Sequence, residues 1–223
     1  MTVTSTMTFH DTSVVLLDLD GTIVESGPGI LAGLDHAFAV CGEPHPGYEV
    51  LRSFIGPPLS ESFRTVLGMS EARAEQMQLA YSEHYLADGF KASEPYPGMR
   101  ELITRLAADG RTVAVATNKP ERTARQLLAH QGLEPDLTLI GGTDRAVGRQ
   151  GKAAVIGSVL ERLQTPAGTE AVMVGDRVHD AKGAAEHGIP AVLVGWGYGG
   201  EAERATAVPF APDVPALARL LLG

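Results

Sequence analysis

Val14-Val15-Leu16-Leu17-Asp18-Leu19-Asp20-Gly21-Thr22 decides how the rest of this 223-residue chain reads. Its four opening residues are all apolar, with none of the alternation of a half-exposed strand, so they predict a strand buried on both faces. Val113-Ala114-Val115-Ala116, Ala171-Val172-Met173-Val174 and Ala191-Val192-Leu193-Val194 repeat the pattern, and Leu137 to Ile140 is a weaker fifth candidate. Amphipathic helices fall between these runs. Met99, Leu102, Ile103 and Leu106 share one helical face, as do Ile156, Val159, Leu160 and Leu163, and near the end Val214, Leu217, Ala218 and Leu221. Strand alternating with helix predicts an α/β fold, a doubly wound Rossmann-like parallel sheet covered on both faces.

One stretch interrupts the alternation. From Glu25 to Glu94 the pattern is helical, with Leu59, Phe63, Val66 and Leu67 on one face and Met77, Ala80, Tyr81 and His84 on another. The expectation is a small α-helical domain over 25–94, inserted into a core of residues 1–24 and 95–223. The chain returns to the core near Pro95-Tyr96-Pro97-Gly98. Residues 1–12 are threonine-rich, without a basic cluster or hydrophobic stretch, and read as a loose tail and not a signal peptide.

Composition limits the function classes. Eighteen basic residues face 27 acidic ones, a formal charge of −9, which opposes binding to nucleic acid or to an anionic membrane. Cys41 is the single cysteine, so multi-cysteine metal sites and intrachain disulfides are excluded, and a reducing compartment fits. No window has the apolar length of a membrane span. The expected setting is soluble and cytoplasmic; oligomeric state is not encoded legibly.

The polar residues that end the apolar runs carry the chemistry. In open parallel sheets the ligand crevice lies beyond the C-terminal strand ends. Asp18 and Asp20 follow the first run, two apart and therefore projecting together from an extended chain. Thr117-Asn118-Lys119 follows the second, Gly175-Asp176 the third, with Asp180 four residues on, and Lys152 opens the helix before that strand. Asp18, Asp20 and Asp176 brought together would repel unless a cation joined them, and oxygen ligands select a hard ion such as Mg2+. Thr117 and Asn118 offer donors to a phosphate at a helix start, and Lys152 offers a positive charge. A carboxylate attacking a phosphate dianion needs such screening, and its product is an aspartyl phosphate that water then hydrolyses.

Asp18 to Thr22, Thr117, Lys152, and Gly175-Asp176 through Asp180 resemble the four ordered motifs of the haloacid dehalogenase-like phosphatases, and the resemblance covers nearly all of the chain. It implies Asp18 as nucleophile and Asp20 as general acid and base. It implies magnesium on Asp18, the Asp20 carbonyl and Asp176, and a phosphoryl group held by Thr117 and Lys152. Asp180 would orient Lys152 or a water on the metal, and the helical insertion would be the cap. Phe54-Ile55-Gly56-Pro57-Pro58-Leu59, Arg149, Arg177 and Trp196-Gly197-Tyr198-Gly199 are similar to the phosphoglycolate phosphatase and 5′-nucleotidase-like branch. Ile23-Val24-Glu25-Ser26 departs from that branch, where Leu and an Asp-Ser pair are commoner. The implied partner is a small phosphorylated metabolite such as phosphoglycolate or a nucleoside monophosphate.

Competing readings divide on single features. A sugar-phosphate mutase shares the core and differs in how well the cap excludes water. A phospho-receiver module lacks a helical insertion, and Asp20 would hasten loss of its phosphate. A dehalogenase needs neither Asp20 nor the phosphate-binding set. Gly195 to Gly200 resembles a dinucleotide fingerprint but follows the last long strand, so it reads as a mobile loop beside the site. His179 and His187 lack a further ligand set. Among Arg52, Arg64 and Lys91 of the insertion, Arg64 is the favoured contact for a substrate anion.

Overall fold

The computed structural model describes residues 8–166 and 168–223. The four apolar runs lie in strands β1 (Val14–Leu17), β4 (Thr112–Pro120), β6 (Ala171–Gly175) and β7 (Ala191–Val194). With β5 (Leu139–Thr143) and β8 (Phe210–Ala211) they form one six-stranded sheet in the order β5-β4-β1-β6-β7-β8, every neighbouring pair parallel. β1 sits between β4 and β6, with Leu17 level with both Val115 and Val174. After β5 the chain crosses to β6 on the other side of β1. That reversal opens a crevice at the C-terminal end of β1, where a doubly wound sheet binds its ligands.

Alternate strand residues feed two cores. Val15, Leu17, Val113, Val115, Val172 and Val174 pack on one face, together with apolar residues of α5 (Met99–Ala108), α6 (Glu121–His130) and the C-terminal helix Val214–Leu222. Val14, Leu16, Ala114, Ala116 and Met173 pack on the other, against α7 (Lys152–Arg162) and α8 (Val178–Ala185). Burial of both faces removes any alternation of polarity from the sequence, which is why the strands read as continuous runs.

Two short strands, β2 (Val24–Glu25) and β3 (Glu94–Pro95), pair antiparallel, Val24 with Pro95 and Glu25 with Glu94. Between them the chain is helical: α1 (Gly27–Cys41), α2 (Tyr48–Arg52), α3 (Leu59–Thr65) and α4 (Glu71–Ala87). Leu34, Phe38, Phe63, Met77 and Tyr85 are buried there. Phe63 meets Phe38 and Phe54 edge-on at 6.2 and 5.4 Å, a preferred aromatic geometry.

Of the N-terminal tail, residues 1–7 lie outside the described part. The remainder is not loose. Phe9 is buried, its N–H donates to the Leu220 carbonyl at 2.8 Å, and Arg111 donates to the carbonyls of Phe9 and His10 at 3.1 and 2.8 Å. A threonine-rich reading overlooks one aromatic residue finding a core. Among the described residues no helix is long and apolar enough to cross a membrane.

Candidate active site

β1 stops at Leu17, and its continuation is a tight turn in which the N–H groups of Ile23 and Val24 both donate to the Leu19 carbonyl at 3.0 Å. Gly21 turns the corner at φ 82°, a backbone state L side chains rarely adopt. A Cβ there would also collide with the Asp176 carboxylate and, at 2.8 Å, with the Tyr198 ring. The turn separates the two acids. Asp18 faces α7 and α8, whereas Asp20 faces the end of β4.

Lys152, first residue of α7, is buried with its ammonium 2.7 Å from both Asp18 Oδ1 and Asp180 Oδ1, and it donates to the Ala116 carbonyl at 2.9 Å. Its close approach needs a residue without a side chain opposite, since a Cβ on Gly183 would meet Lys152 Cγ at 2.8 Å. Burial opposes the charge, but Asp18 and Asp180 outweigh it and raise the lysine pKa, so Lys152 is an ammonium. Asp180 also accepts from the Arg177 N–H at 3.0 Å through its second oxygen. It is thereby fixed at both ends.

Asp176 is fully buried at the end of β6. Its Oδ2 accepts from the Tyr198 N–H at 2.7 Å, while its Oδ1 has no donor among the described residues. Burial, then the neighbouring charges of Asp180 and Asp18, push its pKa well above the ordinary carboxylate range. A buried carboxylate crowded by two others and carrying a free oxygen suits a hard cation. Magnesium fits such a donor set. Asp18, His179 and Asp180 also place ligand atoms within 4.8 Å of one another. That second cluster already contains the Lys152 ammonium between its two carboxylates, so the Asp18–Asp176 side is the better seat for a metal. Burial first, with Lys152 and Arg177 adding to it, lowers the His179 pKa against the pull of Asp180 and Asp18.

Thr117 is buried, and its Oγ1 accepts from the Lys119 N–H at 3.2 Å. Asn118 turns the other way, donating to the Gly56 carbonyl of the helical insertion at 3.4 Å. Lys119, to which the sequence pattern attaches no role, has its buried ammonium 2.9 and 3.0 Å from the two Asp20 oxygens. The same ammonium stands 4.5 Å above the Tyr85 ring of α4, a cation–π distance. Strand parity is the signal that finds it, since Lys119 is two residues beyond Thr117 and shares its side of β4.

A cavity of about 470 Å3 opens between sheet end and insertion. Asp20, Asn118 and Lys119 line it from below, and Ile30, Phe54, Tyr81 and Tyr85 from above. Arg64 is absent from that lining. On α3 the buried Ser62 and Phe63 take the inward face and leave Arg64 exposed, as Arg52 and Lys91 also are. The Gly195–Gly200 segment does lie beside the site. Its Tyr198 reaches Asp176 through the backbone, while its hydroxyl accepts from the Ser26 and Gly27 N–H groups at 2.9 and 2.6 Å and donates to Glu25 at 2.5 Å.

Residues 15–194 match the family model described as haloacid dehalogenase-like hydrolase. The chain belongs to that family. The tyrosine-protein kinase PtkA of Mycobacterium tuberculosis is 40% identical over 83% of this chain and 63% of its own length. The chain thus spans less than two thirds of that relative. A 5′-nucleotidase of Pseudomonas aeruginosa is 33% identical over 93% of this chain and 94% of its own. The crystal structure of a "predicted phosphatase" from Clostridium acetobutylicum superposes with a TM-score of 0.87 at 29% identity, covering 93% of this chain and 96% of that one.

Proposed function

We propose that the protein is a magnesium-dependent phosphatase of small organic phosphate monoesters, working through an aspartyl phosphate on Asp18. The observation that carries the reading is the buried Asp18 carboxylate held 2.7 Å from the Lys152 ammonium, with Asp176 beside it carrying a free oxygen. Asp18 attacks phosphorus, and the phosphorus–oxygen ester bond breaks. Asp20 gives its proton to the leaving oxygen, then takes one from the water that attacks the phosphoryl-aspartate, which frees phosphate and Asp18. Thr117 and Lys152 hold the phosphoryl oxygens, Asp180 positions Lys152, and Asn118 ties this end of β4 to the helical insertion instead. Asp18, the Asp20 carbonyl and Asp176 would hold Mg2+, which when bound neutralises charge as nucleophile and phosphate approach.

The pairing of both Asp20 oxygens with Lys119 holds the carboxyl group in place for its two proton transfers. Residues 25–94 act as a cap over a core of 1–24 and 95–223, hinged where β2 pairs with β3. The relatives' names point to nucleoside monophosphates or phosphoglycolate as substrates, and the charge of −9 supports a small metabolite over a nucleic acid or membrane partner. The lone cysteine fits a cytoplasmic setting.

Hydrolysis of p-nitrophenyl phosphate with magnesium tests the proposal: activity is expected with the ion and none with excess chelator, and chelator-resistant turnover would contradict it. A second reading, transfer of the phosphoryl group to a tyrosine hydroxyl, draws on the 40% identity to a tyrosine-protein kinase. Label moving from the γ-phosphate of ATP to a tyrosine peptide faster than to water would favour it.

A further inference from the structure

Charge is unevenly matched around the cavity, and the imbalance bears on the substrate. Three acids line it, and each has a cation. Asp20 has Lys119, Glu121 is met by Arg149, Arg162 and Arg125 at 2.7, 2.8 and 3.2 Å, and Asp144 lies 4.0 Å from Arg149. Two cations of the lining have no acidic partner among the described residues. Arg122, in the first turn of α6, makes no hydrogen bond there, and Arg145 donates only to Ser60 Oγ, at 2.6 Å. In a chain of net charge −9, with 27 acids available, both arginines belong to the cavity lining, are exposed, and lack an acidic partner among the described residues.

The cavity walls add a size and a shape. Pockets from about 300 Å3 upward accommodate drug-sized ligands, so 470 Å3 exceeds what a phosphate on a two-carbon chain fills. Tyr81 and Tyr85 stack at 5.4 Å with planes 19° apart and lie along the wall. Guanidinium groups bind carboxylate or phosphate by paired charge-assisted hydrogen bonds. From the unmatched pair Arg122 and Arg145 and the aromatic wall, we propose that the preferred monoester carries a second anionic group, on a body large enough to pack against Tyr81 and Tyr85. Arg122 and Arg145 bind that anion. The inference rests on the phosphatase reading above and narrows its substrate class.

Two aryl phosphates of matched shape and leaving group test it: 4-(carboxymethyl)phenyl phosphate and 4-ethylphenyl phosphate. The carboxylated ester is expected to show a kcat/KM about tenfold higher or more, the gain of roughly one charge-assisted contact. A third ester, 4-(phosphonomethyl)phenyl phosphate, distinguishes the two anions, the larger gain naming the one preferred. In the Arg122→Gln, Arg145→Gln double variant the ratio should fall to about one. Ser60→Ala removes the partner of Arg145 but keeps the charge, so the ratio should persist. A ratio near one in the unaltered chain, one that survives the double substitution, or one abolished by Ser60→Ala would overturn the proposal. Should neither ester be hydrolysed, the phosphatase reading fails instead, and the affinities of the two esters, measured by calorimetry, decide the anion site by the same ratio.

Discussion

The Lys119 ammonium grips both oxygens of the Asp20 carboxylate, at 2.9 and 3.0 Å, with both residues buried. Lys119 thus fixes the proposed acid–base group at the end of β4 while touching the helical insertion through Tyr85. Burial disfavours its charge, yet Asp20 and the two tyrosines outweigh that and raise its pKa. Lys119→Met leaves a buried carboxylate unpaired and is expected to cost about 3–5 kcal/mol of stability. Because the folded value lies above the unfolded one, the difference between wild type and variant should be full below about pH 10.4. It should be lost as pH rises through the raised folded value. Urea denaturation across pH checks both; a variant as stable as wild type at pH 7 would show that the pair contributes nothing.

Asp20→Asn separates the half-reactions. Without an acid, alkyl phosphates with poor leaving groups should slow most, while an activated aryl phosphate should still phosphorylate the enzyme. The amide cannot deprotonate water, so the intermediate should persist and produce a burst of phenol. Equal losses on alkyl and aryl esters, with no burst, would remove Asp20 from its assigned role.

Metal binding and pH are linked through Asp176. Its raised pKa means that the metal-free fold is stabilised by a proton there and loses that contribution as pH rises through the folded value. In the proposed site magnesium takes the place of that proton. The increase in melting temperature on adding magnesium should therefore be larger at pH 7.5 than at pH 5, as scanning calorimetry would show, with calcium giving less activity than magnesium at any pH. A magnesium-induced shift that grew on acidification would point to a different ligand set.

Tyr198→Phe keeps the ring and removes the hydroxyl shared by Glu25, Ser26 and Gly27. Leaving those groups short of a partner should cost about 1–3 kcal/mol. Thermal melts of the purified variant provide the check, and an unchanged melt would mean that water replaces the hydroxyl without loss.

These groups differ in how far the sequence exposes them. β1, β4, β6 and β7 were legible because strands covered on both faces carry unbroken apolar runs. β8 was not, since Phe210-Ala211 is two residues between prolines and its pairing comes from β7 alone. Asp18, Thr117, Lys152, Asp176 and Asp180 could be placed at strand or helix ends by register, but register does not reveal a partner. Lys119 acquires a role only once Asp20 is found beside it, and the Tyr198 hydroxyl meets residues more than 170 positions away. Arg64 lies outside the cavity lining, since Ser62 and Phe63 take the inward side of α3 and the next residue faces water.

The central claim is covalent attachment of the phosphoryl group to Asp18. The most direct measurement is acid quenching of Asp20→Asn during turnover of an aryl phosphate, followed by peptide mass spectrometry. One added phosphoryl group is predicted on the peptide containing Asp18, labile to hydroxylamine and missing when Asp18→Asn is combined with Asp20→Asn. A phosphoryl group on another residue, or turnover that survives Asp18→Asn at the wild-type rate, would contradict the account.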